Sequence, residues 1–151
     1  MSRSGLSEFQ IELANRFFSR PSEAMSVTGI TGTNGKTTTA WLAMQAIARL
    51  GGSAGYVGTL GHGLDGRLRA AELTTPDCIS FHRQLRELAD EGATHVVAEV
   101  SSHALDQERV AGVRFATVAF TNLTRDHLDY HPDLAAYGAA KARLFALGAG
   151  T

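Results

Sequence analysis

The segment GITGTNGKTTT, residues 29–39, constrains this chain more than any other. Its glycines fall at 29, 32 and 35, with Lys36 and Thr37 directly after them. An apolar run from Met25 to Thr31 precedes the loop and reads as a buried strand. A helical pattern follows from Thr38 to Leu50, with Trp41, Met44, Ile47 and Ala48 on one stripe and Gly51-Gly52 as the stop. Glycines at such a junction let successive backbone N–H groups face one concavity and approach phosphate oxygens closely. The helix directs its positive end at the same place. Lys36 supplies a cation for β- and γ-phosphates, and the Thr37 hydroxyl suits a magnesium ion. The strict phosphate-loop pattern puts a glycine five residues before Gly35, where Ile30 stands, so the loop is a GxxGxxGKT variant. Charge-assisted hydrogen bonds are worth about 1.5–3 kcal/mol each, and several converge here. Nucleotide binding therefore outranks the alternative, a glycine turn that merely caps a helix.

Further strand–helix alternation sets the fold class. Ala54 to Leu60, Thr94 to Val100 and Phe115 to Thr121 read as strands. Asp65-Gly66, between Leu64 and Leu68, reads as a hairpin-like turn. Asp77 to Glu91 predicts a helix with Cys78, Phe81, Leu85, Leu88 and Ala89 inward and Gly92 as its C-cap. Pro132 and Asp133 open a last helix reaching about Leu147. Residues 8–18 (EFQIELANRFF) place Phe9, Leu13 and Phe17 at helical spacing, and Arg20-Pro21-Ser22 breaks that helix. The pattern predicts an α/β domain, a mostly parallel sheet of four or five strands flanked by helices.

Length and charge narrow the rest. With 151 residues the chain has room for one ordinary domain, which buries roughly 70% of its unfolded surface. Lys and Arg (14) nearly balance Asp and Glu (15), so no global field draws it to nucleic acid or membrane. A single cysteine, Cys78, excludes an internal disulfide framework. Neither a signal-peptide pattern nor a stretch of about 20 apolar residues is present, which predicts a cytoplasmic location.

Several polar residues stand where the sheet's carboxyl edge should lie. Glu99 closes the THVVAEV strand, and an unpaired carboxylate there is costly to bury unless a cation or an arginine meets it. Ser101-Ser102-His103, Gln107 and Arg109 follow on what reads as a loop, donors suited to an anionic or amide-rich substrate. Thr74-Thr75-Pro76-Asp77 has a simpler reading as the N-cap of the next helix. NLTRDHLDYHP, residues 122–132, crowds Asp126, His127, Asp129 and His131 together, which suggests metal or nucleotide contacts. For Asp129 and His131 a solvated loop is the preferred reading. Lys141 shares the apolar face of Leu134, Tyr137, Leu144 and Phe145. A lysine so placed normally snorkels to water, but when desolvated it becomes nucleophilic and able to capture carbon dioxide as a carbamate.

Taken together, GITGTNGKTTT, TTPD, EVSSHALDQERV, FTNLTRDHLDYH and YGAAKARLF resemble the central domain of the Mur ligases, in the family's order, from about Met25 to Leu147. Within that family they look most like the branch that extends a UDP-linked muropeptide to a tripeptide. The loop is shared with folylpolyglutamate and cyanophycin synthetases, whereas the blocks around Ser101 and His127 are narrower. The resemblance implies that Gly32, Thr33, Asn34, Gly35, Lys36, Thr37 and Thr38 bind ATP. It makes Thr37 and Glu99 magnesium ligands, His127 a ligand of a second magnesium, and Lys141 a carbamylated lysine beside that ion. Thr74, Thr75, Ser101, Gln107 and Arg109 would contact the UDP-muropeptide, while Leu73 stands where some relatives carry asparagine.

The implied reaction is ATP-dependent amide ligation through an acyl phosphate, with a diamino acid (diaminopimelate or lysine) as the amine. The resemblance also implies a monomeric three-domain enzyme, of which residues 25–151 hold part of the central domain and residues 1–24 a remnant of the preceding helix and linker. Without the uridine-binding and amino-acid-binding domains, the chain alone is expected to be inactive. Two alternatives are a nucleotide-binding phosphate-loop module without ligase chemistry and a polyglutamate- or cyanophycin-type synthetase domain.

Overall fold

The computed structural model describes residues 8–148. Helices α1 (Glu8–Phe17) and α2 (Pro21–Ala24) lead into strand β1 (Ser26–Thr31) and helix α3 (Lys36–Arg49). Strands β2 (Ala54–Gly58) and β3 (Gly61–Leu64), helix α4 (Cys78–Asp90) and strand β4 (His95–Glu99) follow. Helix α5 (Ser102–Asp106), strand β5 (Thr117–Phe120) and helix α6 (Leu134–Leu147) complete the described chain. The five strands lie in the order β3-β2-β4-β1-β5. All neighbours are parallel except β2 and β3, so the sheet is mostly parallel as predicted.

Strand alternation sends side chains to two helical layers. Val96 and Ala98 of β4 join Val27, Val57, Phe81, Leu85, Leu88, Phe115 and Leu144 on the face covered by α4 and α6. Val97, between them, joins Ile30, Tyr56, Ala40 and Met44 on the face covered by α3. Burying one side chain of leucine or valine size contributes roughly 1.5–3 kcal/mol, so these two clusters carry the fold. Helices α4 and α6 start where aspartate side chains accept free N–H groups. Asp77 Oδ1 accepts from Ser80 N at 3.0 Å and Asp133 Oδ1 from Ala136 N at 2.7 Å.

Connectivity creates the functional edge. Helix α3 carries the chain from β1 past β4 to β2, and α5 begins the return from β4 past β1 to β5. The adjacent carboxyl ends of β1 and β4 therefore send their connections in opposite directions, which is where such sheets leave a crevice.

Four expectations need correction. Ala54 to Leu60 is not one strand: it ends at Gly58, and Gly61–Leu64 returns antiparallel to it, with Asp65-Gly66 turning the chain again toward a bridge between His62 and Arg69. The Ser102–Asp106 segment is a short helix rather than a loop, because the Ser101 hydroxyl caps Ala104 N at 3.1 Å. Helix α1 exists, but Phe9, Leu13 and Phe17 face solvent. The helix is seated by Ala14 and Asn15 instead, Asn15 Nδ2 donating to Gly112 O at 2.9 Å. On α6, Leu134 and Phe145 are exposed, and the buried face is Tyr137, Ala140, Lys141 and Leu144. Of the suggested amino-terminal remnant and the final residues, 1–7 and 149–151 lie outside the described part.

Candidate active site at the carboxyl edge of the sheet

The phosphate loop runs from the end of β1 into α3, with Gly35 as the helix N-cap in a left-handed conformation (φ 84°). Helix α3 begins at Lys36, two residues before the sequence pattern suggests, so its free N–H groups open directly onto the loop. Gly32 has φ 142°, and a Cβ there would lie 1.9 Å from Thr121 Oγ1, so only glycine lets the loop pack against the end of β5. The Lys36 ammonium donates to Gly32 O at 2.8 Å and Thr33 O at 2.9 Å, spanning the loop. Burial pulls its pKa below the usual lysine range, with Glu99 and Asp126 opposing that.

Glu99 is fully buried at the end of β4, beside the loop. Its Oε2 accepts from Thr37 Oγ1 at 2.8 Å, and its Oε1 accepts from Thr59 N at 3.0 Å and from the Tyr56 hydroxyl. Among the described residues no arginine pairs with it. A Cβ at Gly58 would lie 2.3 Å from Glu99 Oε1 and 2.4 Å from the Tyr56 hydroxyl, so the glycine leaves room for this carboxylate–phenol contact. Burial and the neighbouring carboxylate both push the Tyr56 pKa up, which keeps the phenol a donor. The carboxylate and the Thr37 hydroxyl together offer hard oxygen donors at the phosphate end of the loop, the chemistry magnesium takes.

Lys141 does not snorkel. It is 1% exposed, and its ammonium donates to Gly32 O at 2.8 Å, the same carbonyl that Lys36 uses. It also lies 4.4 Å above the Tyr137 ring centroid. Burial and the Lys36 charge lower its pKa to about 8, Asp126 opposing them. Tyr137 is fully buried and its hydroxyl donates to Thr33 Oγ1 at 3.2 Å. Helix α6 thus reaches the phosphate loop through two side chains one turn apart.

The turn after β5 carries His127 with a left-handed backbone (φ 52°), its carbonyl accepting from Tyr130 N and His131 N. The imidazole is half exposed, pairs with Asp126 at 3.6 Å, and packs edge-on against His103 and Tyr137. Among the described residues no group of three His, Cys, Asp or Glu side chains forms a metal cluster by itself. The site therefore unites Lys36, Thr37, Glu99 and Lys141 around the loop and sets His127 at its rim. His131 contradicts the solvated reading: it is 5% exposed, and its Nε2 lies 3.0 Å from Ser102 Oγ. Asp129 is exposed, as the sequence reading has it.

Along the other rim, the Thr74 and Thr59 hydroxyls are 3.0 Å apart. Thr75 Oγ1 donates to Glu99 O at 2.9 Å and accepts from Ser101 N at 3.1 Å, a tie that the N-cap reading did not foresee. Asp77, not Thr74 or Thr75, caps α4. Arg109 donates to Thr75 O at 2.9 Å and to Gln107 Oε1, so Thr75, Ser101, Gln107 and Arg109 form one connected polar edge. Tyr56 and Tyr137 were not recognisable as site residues, since in the sequence each reads as an aromatic in an apolar segment.

A glycine loop at a topological switch point, a lysine and threonine opening the helix and an acidic strand end beside them define a phosphate-loop nucleotide-binding domain. Comparison with known proteins goes further. Residues 30–149 match the Mur ligase middle domain, and the chain belongs to that family. It is 56% identical over 134 residues to the UDP-N-acetylmuramoyl-L-alanyl-D-glutamate–2,6-diaminopimelate ligase of Xanthomonas campestris, covering 89% of this chain and 27% of the relative. The enzyme of the same name from Pseudomonas putida is 50% identical over 135 residues, with the same coverage. A solved structure of such a ligase superposes with a TM-score of 0.79 at 36% identity, over 91% of this chain and 27% of that one. The Mycobacterium tuberculosis folylpolyglutamate synthase, at 18% identity and TM-score 0.72 over 89% of this chain and 37% of that one, shares the fold. The chain thus spans about a quarter of the length of the curated relatives it matches. Among the described residues no helix is long and apolar enough to cross a membrane.

Proposed function

We propose that this chain is the ATP- and magnesium-binding part of a ligase that joins diaminopimelate to UDP-N-acetylmuramoyl-L-alanyl-D-glutamate in the cytoplasm. The observation that carries the reading is the meeting of Lys36, Thr37, Glu99 and Lys141 at one loop, in a chain more than half identical to enzymes of that name. A binding module needs the loop alone. A buried carboxylate on the Thr37 hydroxyl and a buried lysine on the Gly32 carbonyl serve chemistry beyond binding. The polyglutamate-type alternative shares the fold at low identity, while the closer sequence matches favour the muropeptide ligase.

In this reading the substrate carboxylate attacks the γ-phosphorus of ATP, ADP leaves, and an acyl phosphate forms. The amine of diaminopimelate then adds to the acyl carbon, the tetrahedral intermediate expels phosphate, and the nitrogen loses a proton to give the amide. Lys36 and the N–H groups at the start of α3 hold the phosphates in line and offset the charge that builds during transfer. Thr37 and Glu99 would hold one magnesium ion, and His127 with Lys141 as its carbamate would hold a second. Magnesium, when bound, neutralises phosphate charge. The lowered pKa of Lys141 favours the neutral amine that carbamate formation requires. Thr74, Thr75, Ser101, Gln107 and Arg109 line the edge for the muropeptide, and the amine site lies on parts of the enzyme outside this chain. The whole enzyme is taken to act as a monomer.

Titrating the chain with a non-hydrolysable ATP analogue tests the core of this. Binding should require magnesium, and Lys36→Ala should weaken it about a hundredfold, the loss of charge-assisted phosphate contacts. Absence of binding by the unmodified chain would remove the ligase reading. In the whole enzyme, Lys141→Ala should stop acyl-phosphate formation, and bicarbonate should stimulate only the unsubstituted protein.

A further inference from the structure

His131 sits where three parts of the site meet. Its ring is buried although Pro132 and Asp133 beside it are exposed. Nε2 is 3.0 Å from the hydroxyl of Ser102, itself 1% exposed, at the first turn of α5. The ring packs against His103 of the same helix at 5.7 Å between centroids and against Tyr137 of α6 at 5.2 Å. Its own N–H donates to the His127 carbonyl at 2.9 Å, closing the left-handed turn that carries that side chain. Its Nε2 makes one directed hydrogen bond, to the Ser102 hydroxyl.

The contacts continue inward. Tyr137 places its ring beneath the Lys141 ammonium and its hydroxyl on Thr33 of the phosphate loop. Ser102 follows Ser101, whose N–H is bound to Thr75 Oγ1 on the proposed substrate edge. One buried imidazole therefore touches the helix of the substrate edge, the turn of His127 and the tyrosine under Lys141. Polar links buried between elements fix relative placement more strongly than apolar contacts, because each has one geometry.

Building on the ligase reading above, we propose that His131 is a positioning residue: its hydrogen bond to Ser102 and its packing on Tyr137 hold the phosphate loop and the Lys141 helix in register with the substrate edge. It touches no reactant. Its effect reaches the nucleotide through Tyr137 and Thr33, as outer residues orient ligand-binding ones elsewhere.

The test uses this chain and the same non-hydrolysable ATP analogue with magnesium. His131→Ala and Ser102→Ala should each weaken binding about tenfold, the scale on which such supporting partners act. The double variant should be no weaker than His131→Ala alone, as expected for two ends of one link. His131→Gln, which can place an amide nitrogen near the position of Nε2, should recover most of the affinity. Leu85→Ala, a core truncation on α4, should lower the melting temperature without changing the affinity. A nucleotide-free readout keeps the idea testable if His131→Ala folds poorly: the Thr33 amide resonance should shift in Ser102→Ala in the same direction as in Tyr137→Phe. Normal binding by the parent chain with unchanged affinity in Ser102→Ala and His131→Ala would overturn the positioning role and spare the ligase reading. No binding by the parent chain would overturn both.

Discussion

Two loops face each other at the carboxyl edge of the sheet, and they are built on different principles. The loop after β1 is shaped chiefly by its own residues: Gly35 starts a helix and the Lys36 side chain reaches back to the carbonyls of residues 32 and 33, with Gly32 tucked against Thr121 and Tyr137 and Lys141 bonding in from α6. The loop after β5 is held by side chains from elsewhere, Ser102 on His131, Asp106 on the Tyr130 hydroxyl at 2.7 Å, and Tyr137 against both histidines. Hydrogen bonds sew the two together, among them Thr33 N to Asn122 O, Asn34 N to Asn122 Oδ1, Thr121 Oγ1 to Asn34 O, and Thr124 N to Thr33 Oγ1. A self-supporting loop carries its chemistry in consecutive residues. A loop supported from outside takes its chemistry from the packing of the whole domain.

The largest expected effect probes Lys141, which reaches the first of these loops through the Gly32 carbonyl. Its pKa is about 8 in the fold against 10.5 as a free side chain. Between those values the unfolded chain binds more protons than the folded one, so stability rises with pH; below about 8 the cost of the buried ammonium is present in full. The shift corresponds to about 3 kcal/mol. Denaturant titrations from neutral to alkaline pH should show this gain for the parent chain relative to Lys141→Met, in which the ionisable group is gone. A difference that stays flat through that window would mean that the ammonium reaches water and is not held on the Gly32 carbonyl.

Gly32→Ala attacks the seam itself. The added Cβ meets the Thr121 hydroxyl in a backbone region that side chains avoid, so the loops must separate. We expect a destabilisation of about 1–3 kcal/mol with loss of nucleotide binding, measured by thermal melting and calorimetry. Pairing it with Thr121→Ala should recover part of the stability but not the binding, since the left-handed strain remains. Full recovery of binding would show that the contact alone, and not the glycine conformation, shapes the loop.

How much of this was legible in the sequence follows the same division. The parallel sheet, the phosphate loop and the acidic strand end were readable because each is a local pattern: apolar runs, glycine spacing, and a carboxylate where a strand stops. Glu99 and Lys36 needed no knowledge of distant residues. Lys141 was recognisable only as an anomaly on an apolar face, and the Gly32 carbonyl that receives it lies 109 positions away. The tyrosines at 56 and 137 were hidden because an aromatic in a strand or helix is ordinarily core, and both are indeed buried. The stripe of Phe9, Leu13 and Phe17 shows the reverse failure: helical period was correct, but period alone does not say which face meets the domain. His131 was misjudged for the same reason, since its neighbours in sequence are polar and its neighbours in space are Ser102 and Tyr137.

The smallest expected effect completes the contrast within that loop. Asp129 and His131 are two residues apart in a stretch rich in aspartate and histidine, and composition gives no ground for treating them differently. In space Asp129 is exposed, and it makes no hydrogen bond or ion pair among the described residues; its field acts only weakly on His103. An exposed carboxylate of this kind contributes little, so Asp129→Ala should change stability by less than about 0.5 kcal/mol and leave nucleotide affinity unchanged. His131→Ala, one side-chain reversal away, removes a buried hydrogen bond and leaves a cavity beside Tyr137, which should lower stability by about 1–3 kcal/mol. Thermal melts of the two variants side by side measure how far burial rather than residue type governs this loop. Equal losses would mean that the turn tolerates both positions alike and that its shape is set by the His127 backbone alone.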